Sequence, residues 1–99
     1  MSQIVEVETP EEFDSQVIQE NAHPVVTYFW SATCPHCTRM TPNVEAAAEQ
    51  ANGAKFVKLS FTEARKLFSK YNIRGTPSMI FFNDAASSEI YTAPTNTAQ

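Results

Sequence analysis

Hydrophobic and polar positions along the chain fall into two kinds of short run. Alternating or continuous apolar runs read as strands, and apolar positions three or four apart read as helix faces. Ile4-Val5-Glu6-Val7 is a short strand. Thr9-Pro10-Glu11-Glu12 opens a helix, with Thr9 as N-cap, Pro10 at the first helical position and Glu12 closing a capping box. Phe13, Val17 and Ile18 form its apolar stripe, Asn21 ends it, and His23-Pro24 closes the connection. Val25 to Trp30 is apolar nearly throughout and rich in β-branched and aromatic residues, as expected of a central strand buried on both faces.

Met40, Val44, Ala47, Ala48 and Ala51 then recur at helical spacing, with Asn52-Gly53 as a stop and Pro42 as an internal kink. Phe56 to Phe61 alternates, placing Val57, Leu59 and Phe61 on one face of a strand. Thr62 is expected to cap a short helix that buries Ala64, Leu67, Phe68 and Tyr71 and ends near Asn72. Gly75 and Pro77 make Ile73 to Pro77 a loop. Ser78 to Phe82 is a strand, Asn83-Asp84 opens a turn, and Glu89 to Thr92 is a weaker last strand. The order βαβαβαββ predicts parallel pairing by right-handed crossovers and a final antiparallel hairpin. The fold class is α/β, a central mixed sheet of four to five strands flanked by helices.

Ninety-nine residues with 42% apolar positions suit one globular domain over 1–99 with a polar tail at about 93–99. The net charge of −4 argues against a nucleic-acid partner. The apolar runs are too short to span a membrane. Met1 to Glu6 lacks the basic start and apolar core of a signal peptide, so the expected location is cytoplasmic.

The chemistry concentrates in Trp30-Ser31-Ala32-Thr33-Cys34-Pro35-His36-Cys37, between the apolar strand and the long helix. Its two cysteines are the whole complement of the chain. That spacing lets two sulfurs meet across the first turn of a helix and close a small disulfide ring. The thiol at the helix start faces unpaired N–H groups and the positive end of the dipole, which favour thiolate. A strand that delivers such a pair to a helix start is a site for thiol–disulfide exchange. The competing reading is half of a metal site. The chain offers only His23 and His36 as further soft ligands, and His36 is strained as a third ligand between the cysteines, so no metal is expected.

Three features carry a resemblance: Phe29-Trp30 before Cys34-x-x-Cys37, Pro42 five residues after the second cysteine, and Lys70-Tyr71-Asn72-Ile73-Arg74-Gly75-Thr76-Pro77. With these the sequence resembles the thioredoxin family from about Ile4 to Thr92; the last segment is similar to that family's Lys-Tyr-Gly-Ile-Arg-Gly-Ile-Pro. The resemblance implies Cys34 as the exposed nucleophile, Cys37 as the buried resolving thiol, and Pro77 as a cis-proline facing them. It also implies that Thr76 offers its backbone to an extended substrate segment and that Trp30 packs beside the site.

Four departures from the family pattern qualify those roles. Pro35-His36 replaces the reductase-type Gly-Pro and resembles the dipeptide of periplasmic disulfide oxidases; a cationic His36 near Cys34 would favour its thiolate and make the couple more oxidising. Tyr28 stands where the family has a buried aspartate, leaving Lys58 without its usual partner. Lys58, with the Tyr28 hydroxyl or a water, is then the expected manager of the Cys37 proton. Thr33 replaces a second tryptophan. Ala93 to Gln99 shows no apolar stripe, so the family's C-terminal helix is read as missing and one sheet face as uncovered.

The resulting expectation is a thiol–disulfide oxidoreductase whose only redox centre is the Cys34–Cys37 pair, without a cofactor. Its substrates would be protein disulfides, reduced with electrons from a thioredoxin-reductase-type flavoprotein. The alternatives are a disulfide oxidase or isomerase, and a non-catalytic redox-sensing binding module. A monomer is expected, with the uncovered sheet face as the route to a dimer.

Overall fold

The computed structural model describes residues 4–20, 22–51 and 53–83, and the backbone of 86–92. Eight elements follow the predicted order: β1 (Ile4–Val7), α1 (Pro10–Phe13, continued as a π-turn over Asp14–Ile18), β2 (Val25–Trp30), α2 (Pro35–Gln50), β3 (Lys55–Ser60), α3 (Arg65–Lys70), β4 (Ser78–Asn83) and β5 (Ala86–Thr92). They build a five-stranded sheet in the order β1-β3-β2-β4-β5. This is the thioredoxin-type arrangement expected, a mixed sheet with helices against it.

Pairing differs from the simple βαβ expectation at one place. β1 and β2 both run parallel to β3, but β4 lies antiparallel to β2. β3 ends and β4 begins at the same end of β2, where Ser60 pairs with Trp30 and Ser78 with Phe29, so the connection through α3 makes no crossover to the other end of the sheet. The chain turns at Gly75-Thr76-Pro77 and re-enters beside β2 from the same end. β5 completes the antiparallel hairpin.

The start of α1 is the capping box read from sequence: the Glu12 N–H donates to Thr9 Oγ1 at 3.1 Å, and the Glu12 carboxylate accepts from the N–H of Thr9 and Glu8. The Thr62 cap is not formed. Ala64 occupies the N-cap of α3 without a side-chain bond, and Phe61 lies beyond β3, 43% exposed, rather than on the face of Val57 and Leu59. The end of α3 is well made. Asn72 takes a positive φ of 57°, the Ile73 N–H donates to Phe68 O at 2.8 Å, and the Asn72 N–H to Ser69 O at 3.1 Å. This is a Schellman closure with asparagine at the left-handed position.

β2 is the spine of the core. Val25 and Phe29 face α1 and α3, packing with Val7, Phe13, Val17, Val57, Leu59, Leu67, Phe68 and Phe82, and the buried Thr27 between them donates its hydroxyl to Ile80 O at 2.9 Å. Tyr28 faces α2, where Cys37, Val44 and Ala48 are buried; Ala47, expected in that stripe, is exposed. On the same side Val26, Phe56 and Met79 are only half-buried beside Met40 and Val44, along a nearly wholly apolar groove of about 320 Å³. The helix stops assigned to Asn21 and Asn52, the turn at Asp84 and the polar tail 93–99 lie outside the described residues.

Candidate active site

Cys34 is the N-cap of α2 and Pro35 its first helical residue. Proline suits that position because its missing N–H has no helical partner there. The Cys34 sulfur replaces the usual capping oxygen: the Cys37 N–H donates to Cys34 Sγ at 3.1 Å. Both cysteines are free thiols, Cys34 half-buried and Cys37 buried. The spacing thus brings the pair together at a helix start, as the residues alone indicate.

The loop before β4 closes the site. The Thr76–Pro77 peptide bond is cis, Pro77 is buried, and the Cys34 thiol donates to the Thr76 carbonyl at 3.4 Å. Burial raises the Cys34 pKa, but hydrogen bonds from the Cys37 thiol, the Thr76 hydroxyl and the N–H groups of Cys37 and His36 outweigh it and hold the thiol below its ordinary value. Burial pushes Cys37 the other way, and the neighbouring Cys34 adds to the rise. The two sulfurs are therefore differentiated, Cys34 shifted toward thiolate and Cys37 toward thiol.

The other predicted residues divide. His36 is exposed, and it enters the Cys34 environment through its main-chain N–H. Trp30 is half-buried at the end of β2, and the Lys58 ammonium lies 5.9 Å from its ring centroid, within cation–π range. Lys58 is in register with Tyr28. The Tyr28 hydroxyl itself is engaged elsewhere: it lies 3.0 Å from Thr41 Oγ1 and 3.4 Å from the Cys37 carbonyl. Thr33 is exposed and shares a 3.1 Å hydroxyl contact with Ser31.

Sequence reading does not single out Thr38 or Thr41. Each lies four residues after a cysteine, and each donates its hydroxyl to that cysteine's carbonyl, Thr38 to Cys34 at 3.3 Å and Thr41 to Cys37 at 2.8 Å. The i, i+4 spacing is the only sequence signal they carry. Among the described residues, the one cluster of three or more metal-capable side chains is Glu6, Glu8 and Glu63, all exposed, and it does not include the cysteines.

Comparison with known proteins agrees with this geometry. The thioredoxin family model matches residues 4–99. Thioredoxin C-2 of Corynebacterium nephridii is 33% identical over 85 residues, which cover 85% of this chain and 78% of that protein. Protein disulfide-isomerase A3 of Gallus gallus is 34% identical over 71 residues, 71% of this chain but 14% of that much longer protein. Among solved structures, Fasciola hepatica thioredoxin superposes with a TM-score of 0.84 at 19% identity, over 89% of this chain and 85% of that one. A differentiated cysteine pair at a helix start, within a match that spans nearly the whole sequence, places the chain in the thioredoxin family of thiol–disulfide oxidoreductases.

Proposed function

We propose that this protein, as one domain over residues 1–99, reduces disulfides in protein substrates, with Cys34 as nucleophile and Cys37 as resolving thiol. The observation that carries the reading is the capped sulfur, Cys34 Sγ held by the Cys37 N–H at 3.1 Å at the start of α2. The Cys34 thiolate attacks one substrate sulfur. The substrate S–S bond breaks, a mixed disulfide forms, and the other sulfur leaves with the bonding pair and takes a proton from solvent. Cys37 then loses its proton and attacks Cys34 Sγ, releasing the second substrate thiol and leaving a Cys34–Cys37 disulfide. The substrate gains two electrons and two protons, and the dithiol supplies the electrons.

Thr76 and Pro77 border the path of an extended substrate segment, and Trp30 flanks it. A thioredoxin-reductase-type flavoprotein returns the electrons, and the cysteine pair requires no cofactor. The working form is a cytoplasmic monomer. Lys58 assists proton loss at Cys37; a Lys58→Met variant should resolve the mixed disulfide several-fold more slowly, and an unchanged rate removes Lys58 from the mechanism.

A second reading, oxidase or isomerase, is favoured by Pro35-His36 and by the match to protein disulfide-isomerase A3. The reduction potential separates the two. Equilibration against glutathione or dithiothreitol buffers should give a value near the roughly −270 mV of reductive thioredoxins. Each displacement of about 30 mV toward oxidising values is roughly 1.4 kcal/mol in favour of the dithiol. A value about 100 mV higher overturns the reductase reading in favour of the oxidase. Insulin reduction should be lost in Cys34→Ser, while Cys37→Ser should accumulate mixed disulfide. A wild-type protein inert towards insulin would instead be a binding module.

A further inference from the structure

Tyr28 is a phenol in the middle of the central strand, 1% exposed, and the exchange chemistry above leaves it without a task. A buried hydroxyl is costly unless hydrogen-bonded. Its partners here are Thr41 Oγ1 at 3.0 Å and the Cys37 carbonyl at 3.4 Å. Thr41 donates its single hydroxyl proton to the Cys37 carbonyl at 2.8 Å. With that proton used, Tyr28 is the donor in the contact between the two hydroxyls. The Tyr28 hydroxyl also donates to the Cys37 carbonyl, so both hydroxyls converge on that oxygen, Thr41 directly and Tyr28 both directly and through Thr41 Oγ1.

This chain of bonds lies at a weak point of α2. Pro42 has no N–H, so the carbonyl four residues back, that of Thr38, loses its helical donor. A threonine that donates to its i−4 carbonyl, as Thr41 does, bends a helix further. The first turn, which carries both cysteines, therefore lacks one main-chain bond to the helix behind it. Tyr28 ties that turn to the sheet instead.

We propose that Tyr28 and Thr41 are positioning residues for the resolving step: their hydroxyls, converging on the Cys37 carbonyl, anchor it to the central strand and hold its thiol against Cys34. The assignment rests on the reading of Cys37 as the resolving thiol. In that step the Cys34 bond to the substrate sulfur breaks and the Cys34–Cys37 bond forms. The Cys37 proton, its loss assisted by Lys58, goes by way of solvent to the departing sulfur, which leaves with the bonding pair. Tyr28 does not receive that proton. Burial holds its pKa above the ordinary phenol value, so it stays a neutral donor throughout. Its contribution is geometric, and small displacements of reacting atoms are costly to rate.

The test is stopped-flow reaction of the dithiol protein with 5,5′-dithiobis(2-nitrobenzoate). The first thionitrobenzoate released reports attack by Cys34, and the second reports displacement by Cys37. Tyr28→Phe and Thr41→Val should each slow the second release about three- to tenfold, the range set by one net hydrogen bond. The double variant should be slowed by less than the product of the two single effects, because the hydroxyls touch each other and share one acceptor. Thr41→Ser should restore the wild-type rate, and the first release should change less than about twofold. The midpoint of the pH profile of the second release should not move.

Unchanged second release in both single variants overturns the assignment. A displaced pH midpoint in Tyr28→Phe also overturns it, since that would make the phenol a proton carrier. A wild-type protein that releases only one thionitrobenzoate would overturn the resolving role of Cys37 itself, and this assignment with it. Should Thr41→Val fail to fold, Tyr28→Phe with Thr41→Ser carries the comparison.

Discussion

Cys34 and Cys37 have the same side chain and lie on one helical turn, yet their surroundings push them in opposite directions. Cys34 is lowered because hydrogen bonds from the Cys37 thiol, the Thr76 hydroxyl and two N–H groups outweigh its burial; Cys37 is raised by burial and by Cys34. Alkylation by iodoacetamide requires thiolate. As pH falls, Cys34 should keep reacting below the ordinary thiol pKa of about 8.5 and lose reactivity only through its lower value, while Cys37 should label only above about 8.5. Peptide mapping of the labelled protein checks the order, and faster labelling of Cys37 at neutral pH would refute it. Thr76→Val deletes one hydroxyl donor and should move the Cys34 inflection upward. The cysteine pair and Pro77 are legible in sequence because spacing and neighbours mark them. The tuning hydroxyl of Thr76 is not, because its direction depends on how the loop returns from α3. Thr41 is hidden for a similar reason: a threonine one turn beyond a cysteine acquires meaning only once Tyr28 stands across from it.

Elements with a local chemical signal are legible, and those whose form depends on distant packing are not. The capping box at Thr9 and Glu12 involves residues three apart, and it forms as read. The cap assigned to Thr62 fails because Ser60 sets the turn instead: the N–H groups of Glu63 and Ala64 donate to the Ser60 carbonyl at 3.2 and 2.8 Å, so α3 starts at Arg65. Phe61 keeps its N–H on the Trp30 carbonyl at 2.9 Å, but its ring stacks edge-on against Phe68, 5.3 Å between centroids. Asn72 shows a substitution that conserves conformation. The resembling family segment has glycine there, and asparagine is among the few other residues that adopt the left-handed region readily. Asn72→Gly should therefore be within about 0.5 kcal/mol of wild type, whereas Asn72→Val should lose about 1–2 kcal/mol, the cost of a side chain at positive φ. Urea unfolding with an unchanged slope checks both. Equal stability of the valine and glycine variants would show that the Schellman closure does not constrain this residue.

Across the whole molecule the apolar packing is lopsided, and the sheet divides it. The side facing α1 and α3 holds the contiguous core, with Phe29 stacked edge-on to Phe68 at 5.1 Å and Phe13, Tyr71 and Phe82 linked by rings 5.3–5.7 Å apart. The side facing α2 buries Tyr28, Cys37, Val44 and Ala48 but leaves Val26, Phe56 and Met79 half-exposed along the groove. Alternation along β2 makes both faces readable from sequence; which face is well covered depends on the lengths of the helices and on β4 returning antiparallel. The contrast can be measured with two variants on the same strand. Phe29→Ala removes a fully buried ring and should cost about 3–5 kcal/mol, a large part of the 5–15 kcal/mol typical of a domain. Val26→Ala removes methyl groups that are half in water and should cost about 1 kcal/mol or less. Urea midpoints should fall steeply for the first and little for the second, with equal slopes. The first thionitrobenzoate release of Val26→Ala should match wild type, because the groove is on the sheet and not at the sulfurs. A Val26→Ala loss as large as that of Phe29→Ala would mean that the groove is filled in solution. Dilution would then identify the filler, since a second copy of the chain makes the midpoint depend on protein concentration and a segment of the same chain does not.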